Sequence, residues 1–331
     1  MHEIHETHEI RRRARASRVS GFRIAFVYFV CFVVFVPFVV GPTAQGPMFR
    51  GGIETVHVTV TVTDENGRLI TGLTKNDFEV FEDGQRVPVT QFTDKRVPVS
   101  LGLLLDVSDS MLGQPIEDAR GALDRFVGDL LEAGDEAFVA SFNHAPRIVA
   151  MWTQPPSALR GRLDEVKPTG GTAIYDALVA AAPFFNKRQH TRAALIVISD
   201  GADTASDYTL IQARDAVRRT DPFIYAVAID SGDKRRVSTR VNPDALREIT
   251  IPSGGYTEVI HSSADLAPAT ERIANELNHQ YSLGYTPHKS PDGKWRSIRV
   301  RVKNDRPGLE AGPYFARARR GYFAVPRMPR S

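Results

Sequence analysis

Three short runs constrain this chain most. Val99 to Leu105 (VSLGLLL), Ala193 to Ile198 (AALIVI) and Phe223 to Ile229 (FIYAVAI) are almost unbroken apolar stretches of strand length. A strand that is apolar at odd and even positions alike must be covered on both faces, the condition of a parallel sheet held between two layers of helices. Helical periods lie between these runs: Ile116, Ala119, Leu123, Phe126, Val127 and Leu130 form one stripe opened by Pro115, and Ile174, Ala177, Leu178 and Ala181 form another. Glu136 to Phe142 and Arg147 to Trp152 flank Asn143-His144-Ala145-Pro146 and read as a hairpin that adds an antiparallel edge. Gly255 to Ile260 supplies a last strand, and Leu266, Ile273 and Leu277 a last helix capped by Ser262 or Ser263. This order predicts an α/β fold, a doubly wound, mostly parallel six-stranded sheet with its ligand site at the carboxyl ends of the strands.

Both flanks change to a period of two. Val56, Val58, Val60 and Val62 alternate with His57, Thr59, Thr61 and Thr63, Asn66-Gly67 marks a turn, and Asp83-Gly84 marks a tight hairpin after Phe78-Glu79-Val80-Phe81. After Gln280, Tyr281, Leu283 and Tyr285 alternate, as do Ile298, Val300 and Val302 with Arg299, Arg301 and Lys303, and Gly321 to Val325 closes the pattern. Each flank alone would bury little surface, so an accessory antiparallel β-sandwich built from N- and C-terminal strands together is the economical arrangement. The expected spans are 51–96 and 281–331 for its two halves and 97–280 for the α/β domain. Arg299, Arg301 and Lys303 read as the solvated side of an edge strand that resists aggregation, in preference to an anion-binding face.

Residues 1–44 form an address. Arg11, Arg12, Arg13, Arg15, Arg18 and Arg23 precede the uncharged apolar run Ile24 to Val40, which reads as a cleaved signal peptide or as an uncleaved signal anchor. Residues 45–331 are then extracytoplasmic: periplasmic, secreted or membrane-anchored, with the N-terminal segment as the one membrane contact. The sole cysteine, Cys31, lies in this run behind Val30, where a lipoprotein signal wants a small residue. His2, His5 and His8 alternate with glutamate at the chain start and read as solvated. Removing the segment takes six arginines and three glutamates from 42 basic and 39 acidic side chains, leaving 36 of each. The exported part is neutral and free of cysteine, which excludes disulfides and thiolate metal sites and gives no compositional ground for a nucleic-acid partner.

The chemistry concentrates in three loops. Asp106-Val107-Ser108-Asp109-Ser110 follows the first buried strand, Gly170-Gly171-Thr172 opens a helix, and Ser199-Asp200-Gly201 ends the next buried strand. Doubly wound topology brings all three to one edge. Separately they read as an N-cap, a turn and an Asx turn. Together they offer hydroxyls and carboxylates without His or Cys, hard oxygen donors suited to Mg²⁺, with Mn²⁺ or Ca²⁺ as alternatives, and unsuited to zinc.

On these motifs the chain resembles a von Willebrand factor type A (VWFA) domain with a metal-ion-dependent adhesion site (MIDAS) over about Val97 to Gln280. The resemblance implies a sheet order 3-2-1-4-5-6 with one antiparallel edge strand. It also implies a cation bound directly by Ser108, Ser110 and Thr172, with Asp106 and Asp200 acting largely through water. The leader, Asp77-Phe78-Glu79-Val80 with Asp83-Gly84, and the ending Tyr281-Ser282-Leu283-Gly284-Tyr285 through Arg320-Gly321-Tyr322 are similar to a bacterial group of VWFA-related proteins.

Neutral hydroxyls quench little of a cation's charge, so the expectation is adhesion-type protein binding in which an Asp or Glu of a partner completes the coordination. Asp109, His144, Asp203 and Asp230 read either as the rim of that site or as solvated loop residues. The alternatives are a structural envelope scaffold and a metal-dependent hydrolase. The expectation is against an enzyme: a dehalogenase-type phosphatase wants an acid where Ser108 stands, no G-x-S-x-G elbow occurs, and no histidine is placed by sequence to activate Ser108 or Ser110.

Overall fold

The computed structural model describes residues 55–230, 241–303 and 313–325. The arginine-rich leader, Cys31 and the His2, His5 and His8 tract lie outside the described residues. Among the described residues no helix is long and apolar enough to cross a membrane.

Four strands come first: β1 (Val56–Thr63), β2 (Phe78–Glu82), β3 (Gln85–Val87) and β4 (Val89–Thr93). The α/β body follows as β5 (Val99–Asp106), α1 (Gln114–Arg125), β6 (Glu136–Phe142), β7 (Pro146–Thr153), α2 (Ile174–Ala181), β8 (Arg192–Ser199), α3 (Leu210–Arg218), β9 (Phe223–Ile229), α4 (Pro243–Ser253), β10 (Thr257–Ile260) and α5 (Leu266–Asn278). Four further strands end the described chain: β11 (Tyr281–Tyr285), β12 (Trp295–Val302), β13 (Phe315–Arg317) and β14 (Gly321–Phe323).

Every residue of β5, β8 and β9 is buried, as their unbroken apolar composition requires. The six-stranded sheet runs β10-β9-β8-β5-β6-β7, and β7 alone pairs antiparallel. Counted from β5, this is the expected order 3-2-1-4-5-6. Leu101, Leu103 and Leu105 pack toward α1 and α5, while Leu104, Leu195 and Val197 pack toward α2, α3 and α4. Sequence chemistry sets the helix ends. Pro115 sits in the first turn of α1, Thr209 and Gln212 form a reciprocal cap on α3, and Gly254 closes α4 in the left-handed conformation at φ 96°. Ser262 caps a short turn, Ser263–Asp265, that leads into α5.

Two four-stranded sheets, β13-β1-β11-β4 and β14-β12-β2-β3, make up the accessory part. Each mixes strands from before and after the α/β body: β1 lies antiparallel to β11, with Val58 opposite Leu283, and β2 antiparallel to β12, with Val80 opposite Val300. Val56, Val58, Val60, Val80, Tyr281, Leu283 and Ile298 share one core between the sheets.

β12 pairs with β14 over Trp295–Ser297 and with β2 over Ile298–Val302, so among the described residues Arg299 and Arg301 have a ladder partner on one side alone, as the edge expectation requires. One reading is corrected. Thr61 stands on the polar side of β1 yet is fully buried, because the α/β body covers it. There its hydroxyl donates to Glu276 Oε1 at 3.0 Å, the Tyr225 hydroxyl donates to the same oxygen at 2.8 Å, and Arg317 pairs with Glu276 Oε2. Gln280 donates to both Thr61 and Tyr225 and accepts from Arg192. A buried polar network thus joins the amino-end side of the parallel sheet to the sandwich.

Candidate functional site

The three loops converge at the opposite end of the same sheet, where β5 and β8 terminate. Asp106 is the last residue of β5 and is fully buried. Its Oδ1 accepts from the Ser108 backbone N–H at 2.8 Å, and its Oδ2 accepts from the Ser199 hydroxyl at 2.5 Å. Ser108 and Ser110 place their Oγ atoms 3.0 Å apart, and the Ser110 hydroxyl donates to Asp200 Oδ1 at 2.6 Å. A short helical turn, Asp109–Met111, presents both serines to the same side.

Backbone hydrogen bonds lock the loops together. Asp109 N–H donates to Gly170 O at 2.9 Å and Thr169 N–H to Val107 O at 2.8 Å, which ties the first loop to the second. Thr204 N–H donates to Thr172 O at 2.8 Å and ties the second to the third. Two glycines are demanded by this closeness. Gly170 holds φ at 79°, a conformation that favours glycine, and a Cβ there would stand 2.9 Å from His144 Nδ1. A Cβ on Gly201 would stand 2.9 Å from Thr172 Oγ1, so the third loop lies directly against the threonine hydroxyl.

The electrostatics follow from burial. Taking Asp106 out of water pushes its carboxyl up to about 7, and Asp200 adds to the rise, against the Ser199 and Ser108 hydrogen bonds that pull it down. Four of the five expected ligand residues, Asp106, Ser108, Thr172 and Asp200, are buried, and Ser110 is half-buried. No group of three or more His, Cys, Asp or Glu side chains that could hold a metal ion occurs among the described residues. The cluster instead combines two carboxylates with three hydroxyls, a donor set of oxygens alone that fits a hard divalent cation.

Of the four rim residues, Asp109 and His144 are exposed beside the cluster. Asp203 is turned away: its carboxylate accepts from the Tyr175 N–H at 3.1 Å and the Ser206 hydroxyl at 2.6 Å, fixing the start of α2. Sequence reasoning missed Ser199, whose hydroxyl aligns Asp106. The signal was its place in Ser199-Asp200-Gly201, at the end of a strand that pairs with β5.

Residues 101–202 match the family model of the von Willebrand factor type A domain. Among curated proteins it is similar to an uncharacterized protein of Synechocystis sp., 32% identical over 117 residues that cover 34% of this chain and 28% of that protein. It is also similar to inter-alpha-trypsin inhibitor heavy chain H2 of Mus musculus, 23% identical over 200 residues that cover 55% of this chain and 20% of that protein. The chain thus spans less than a third of the length of these relatives. Among solved structures, proximal thread matrix protein 1 from the mussel byssus shares the fold, with a TM-score of 0.50 at 18% identity over 60% of this chain and 51% of that one.

Proposed function

We propose that this is a metal-dependent protein-binding module in which Asp106, Ser108, Ser110, Thr172 and Asp200 hold one divalent cation, Mg²⁺ for preference. The observation that carries the reading is the convergence of three hydroxyls and two carboxylates from three loops, with Ser108, Ser110 and Asp200 linked at 3.0 and 2.6 Å. When bound, the cation supplies an electrophilic position for an outside oxygen, and a partner's Asp or Glu matches it better than a neutral carbonyl. The chain's own part is orientation: Ser199 and the Ser108 N–H fix the Asp106 carboxylate, Asp200 fixes the Ser110 hydroxyl, and Gly201 leaves room for Thr172. Binding is favoured over catalysis because the serine hydroxyls are engaged with each other and with Asp200, not with a histidine that could activate them. The arginine-rich apolar leader supports export, with residues 45–331 acting outside the cytoplasm.

Calorimetric titration of the full chain with Mg²⁺ and Mn²⁺ tests this. Wild type should bind either ion, and Asp106→Ala and Thr172→Ala should abolish binding. Absence of metal binding by wild type would overturn the reading. With the cation established, capture of an envelope protein in Mg²⁺ that EDTA reverses tests the partner.

A further inference from the structure

The inner face of the sheet β14-β12-β2-β3 lies in the sandwich core, but its outer face carries an arrangement that neither the fold nor the metal site uses. Arg86, Phe81 and Arg299 stand directly opposite one another across β3, β2 and β12. The Phe81 ring has the Arg299 Cζ 5.1 Å and the Arg301 Cζ 5.4 Å from its centroid. Further along β12, Trp295 stands opposite Phe323, their rings meeting edge to face at 5.1 Å. The end of α3 covers this second pair, with the Arg218 Cζ 5.4 Å from the Trp295 ring and the Arg219 Cζ 4.8 Å from the Phe323 ring.

Acidic partners are few. Glu79 engages Arg86 at 3.1 Å and Asp215 lies 3.9 Å from Arg218. Arg299, Arg301 and Arg219 make no ion pair among the described residues. Burial first, then the charges of Arg214 and Arg320, holds the Arg218 guanidinium below its ordinary range against the pull of Asp215. Residues 45–331 are neutral overall, so this is segregated charge.

We propose that this outer face, from Phe81 and Arg299 to Trp295 and the end of α3, binds a linear acidic polysaccharide. Guanidinium groups stacked on aromatic rings keep their N–H edges outward, in the fork geometry that grips carboxylates. Alternate residues on one strand face stand about 6.6 Å apart, so Arg299 and Arg301 offer a row of charge to a polymer with repeated carboxylates. Trp295, 37% exposed, offers partial apolar contact for sugar C–H groups. A bilayer fits less well because arginines lie over the Phe81, Trp295 and Phe323 rings, so charge meets it before apolar surface does. A nucleic acid would call for excess positive charge on the wider domain.

The test is binding of the full chain to immobilised polygalacturonate at low and high salt, with neutral dextran, anionic phosphatidylglycerol vesicles and single-stranded oligothymidylate as alternatives. Wild type should bind polygalacturonate in preference to all three, lose the binding at high salt, and keep it in EDTA, which separates this face from the metal reading. The pair Arg299→Glu, Arg301→Glu should weaken binding at least about tenfold, whereas Arg247→Glu, a single charge reversal on α4, should not. Arg299→Gln with Arg301→Gln serves if the reversed pair does not fold, and should also weaken binding. Preference for vesicles or oligothymidylate, binding that EDTA abolishes, or a folded double variant that binds like wild type would each overturn the proposal.

Discussion

The two ends of the parallel sheet treat buried carboxylates in opposite ways. On the amino-end side, Asp135 pairs with Arg96 and Glu276 with Arg317, and each also gathers hydrogen bonds from neutral donors. At the carboxyl end, Asp106 receives the hydroxyl of Ser199 and the amide of Ser108, both neutral. A carboxylate paired and fully hydrogen-bonded is a structural part, costly to remove because its partner is then stranded. One taken out of water with only neutral donors has its pKa raised by burial, and on the proposed reading it meets its compensating charge in the cation. On the proposed function, the contrast gives the amino end to assembly and the carboxyl end to binding.

Substitution tests the contrast most directly. Glu276→Ala should cost about 3–5 kcal/mol in urea unfolding, because Arg317, Tyr225 and Thr61 lose a shared buried acceptor. Asp106→Asn, measured in EDTA, should change stability by no more than about 1 kcal/mol in either direction, since it exchanges lost hydrogen-bond acceptance for the removal of a buried charge. If the two substitutions cost the same, the division of labour fails.

Metal should act at one end alone. At a hundred times its dissociation constant, Mg²⁺ should stabilise wild type by about 2.7 kcal/mol, and should add nothing to Asp106→Ala or Thr172→Ala. At the other end, Thr61→Val should cost about 1 kcal/mol, with no change in metal affinity, by deleting the hydroxyl that links Glu276 and Gln280.

The converse is Gly201→Ala. Its Cβ would crowd the Thr172 hydroxyl, so metal affinity in calorimetry should fall about tenfold for a stability loss of about 1 kcal/mol.

The smallest effect belongs to an exposed carboxylate outside both clusters. The Ser297 N–H first, then Lys289, hold Asp83 below the ordinary carboxylate range. Its stabilisation is complete above its unfolded pKa and fades as pH falls through the lower folded value. Screening keeps it to a few tenths of a kcal/mol, so Asp83→Asn should only slightly flatten the acid limb of the stability curve.

Much of the fold was legible because local pattern and global role agree. The unbroken runs of β5, β8 and β9 are apolar on both sides because both sides are covered. The three loop motifs could be assigned to one edge because parallel strands joined by helices leave their carboxyl ends together. Ser199 was read only as part of a strand end, because one hydroxyl at the last position of a strand has no local signature. Thr61 misled because alternation gives the face of a side chain and says nothing of what covers that face.

The sequence by itself determined the strand and helix periods, the oxygen-only character of the three loops and the neutrality of residues 45–331. These are properties of neighbouring residues. Tertiary structure alone decided that Ser110 reaches Asp200 ninety residues away, that Thr61 meets Glu276 across the junction with the sandwich, and that Arg299 stands opposite Phe81. Such pairings are set by packing between distant segments, where burial makes a polar group find its partner and no local propensity names which one.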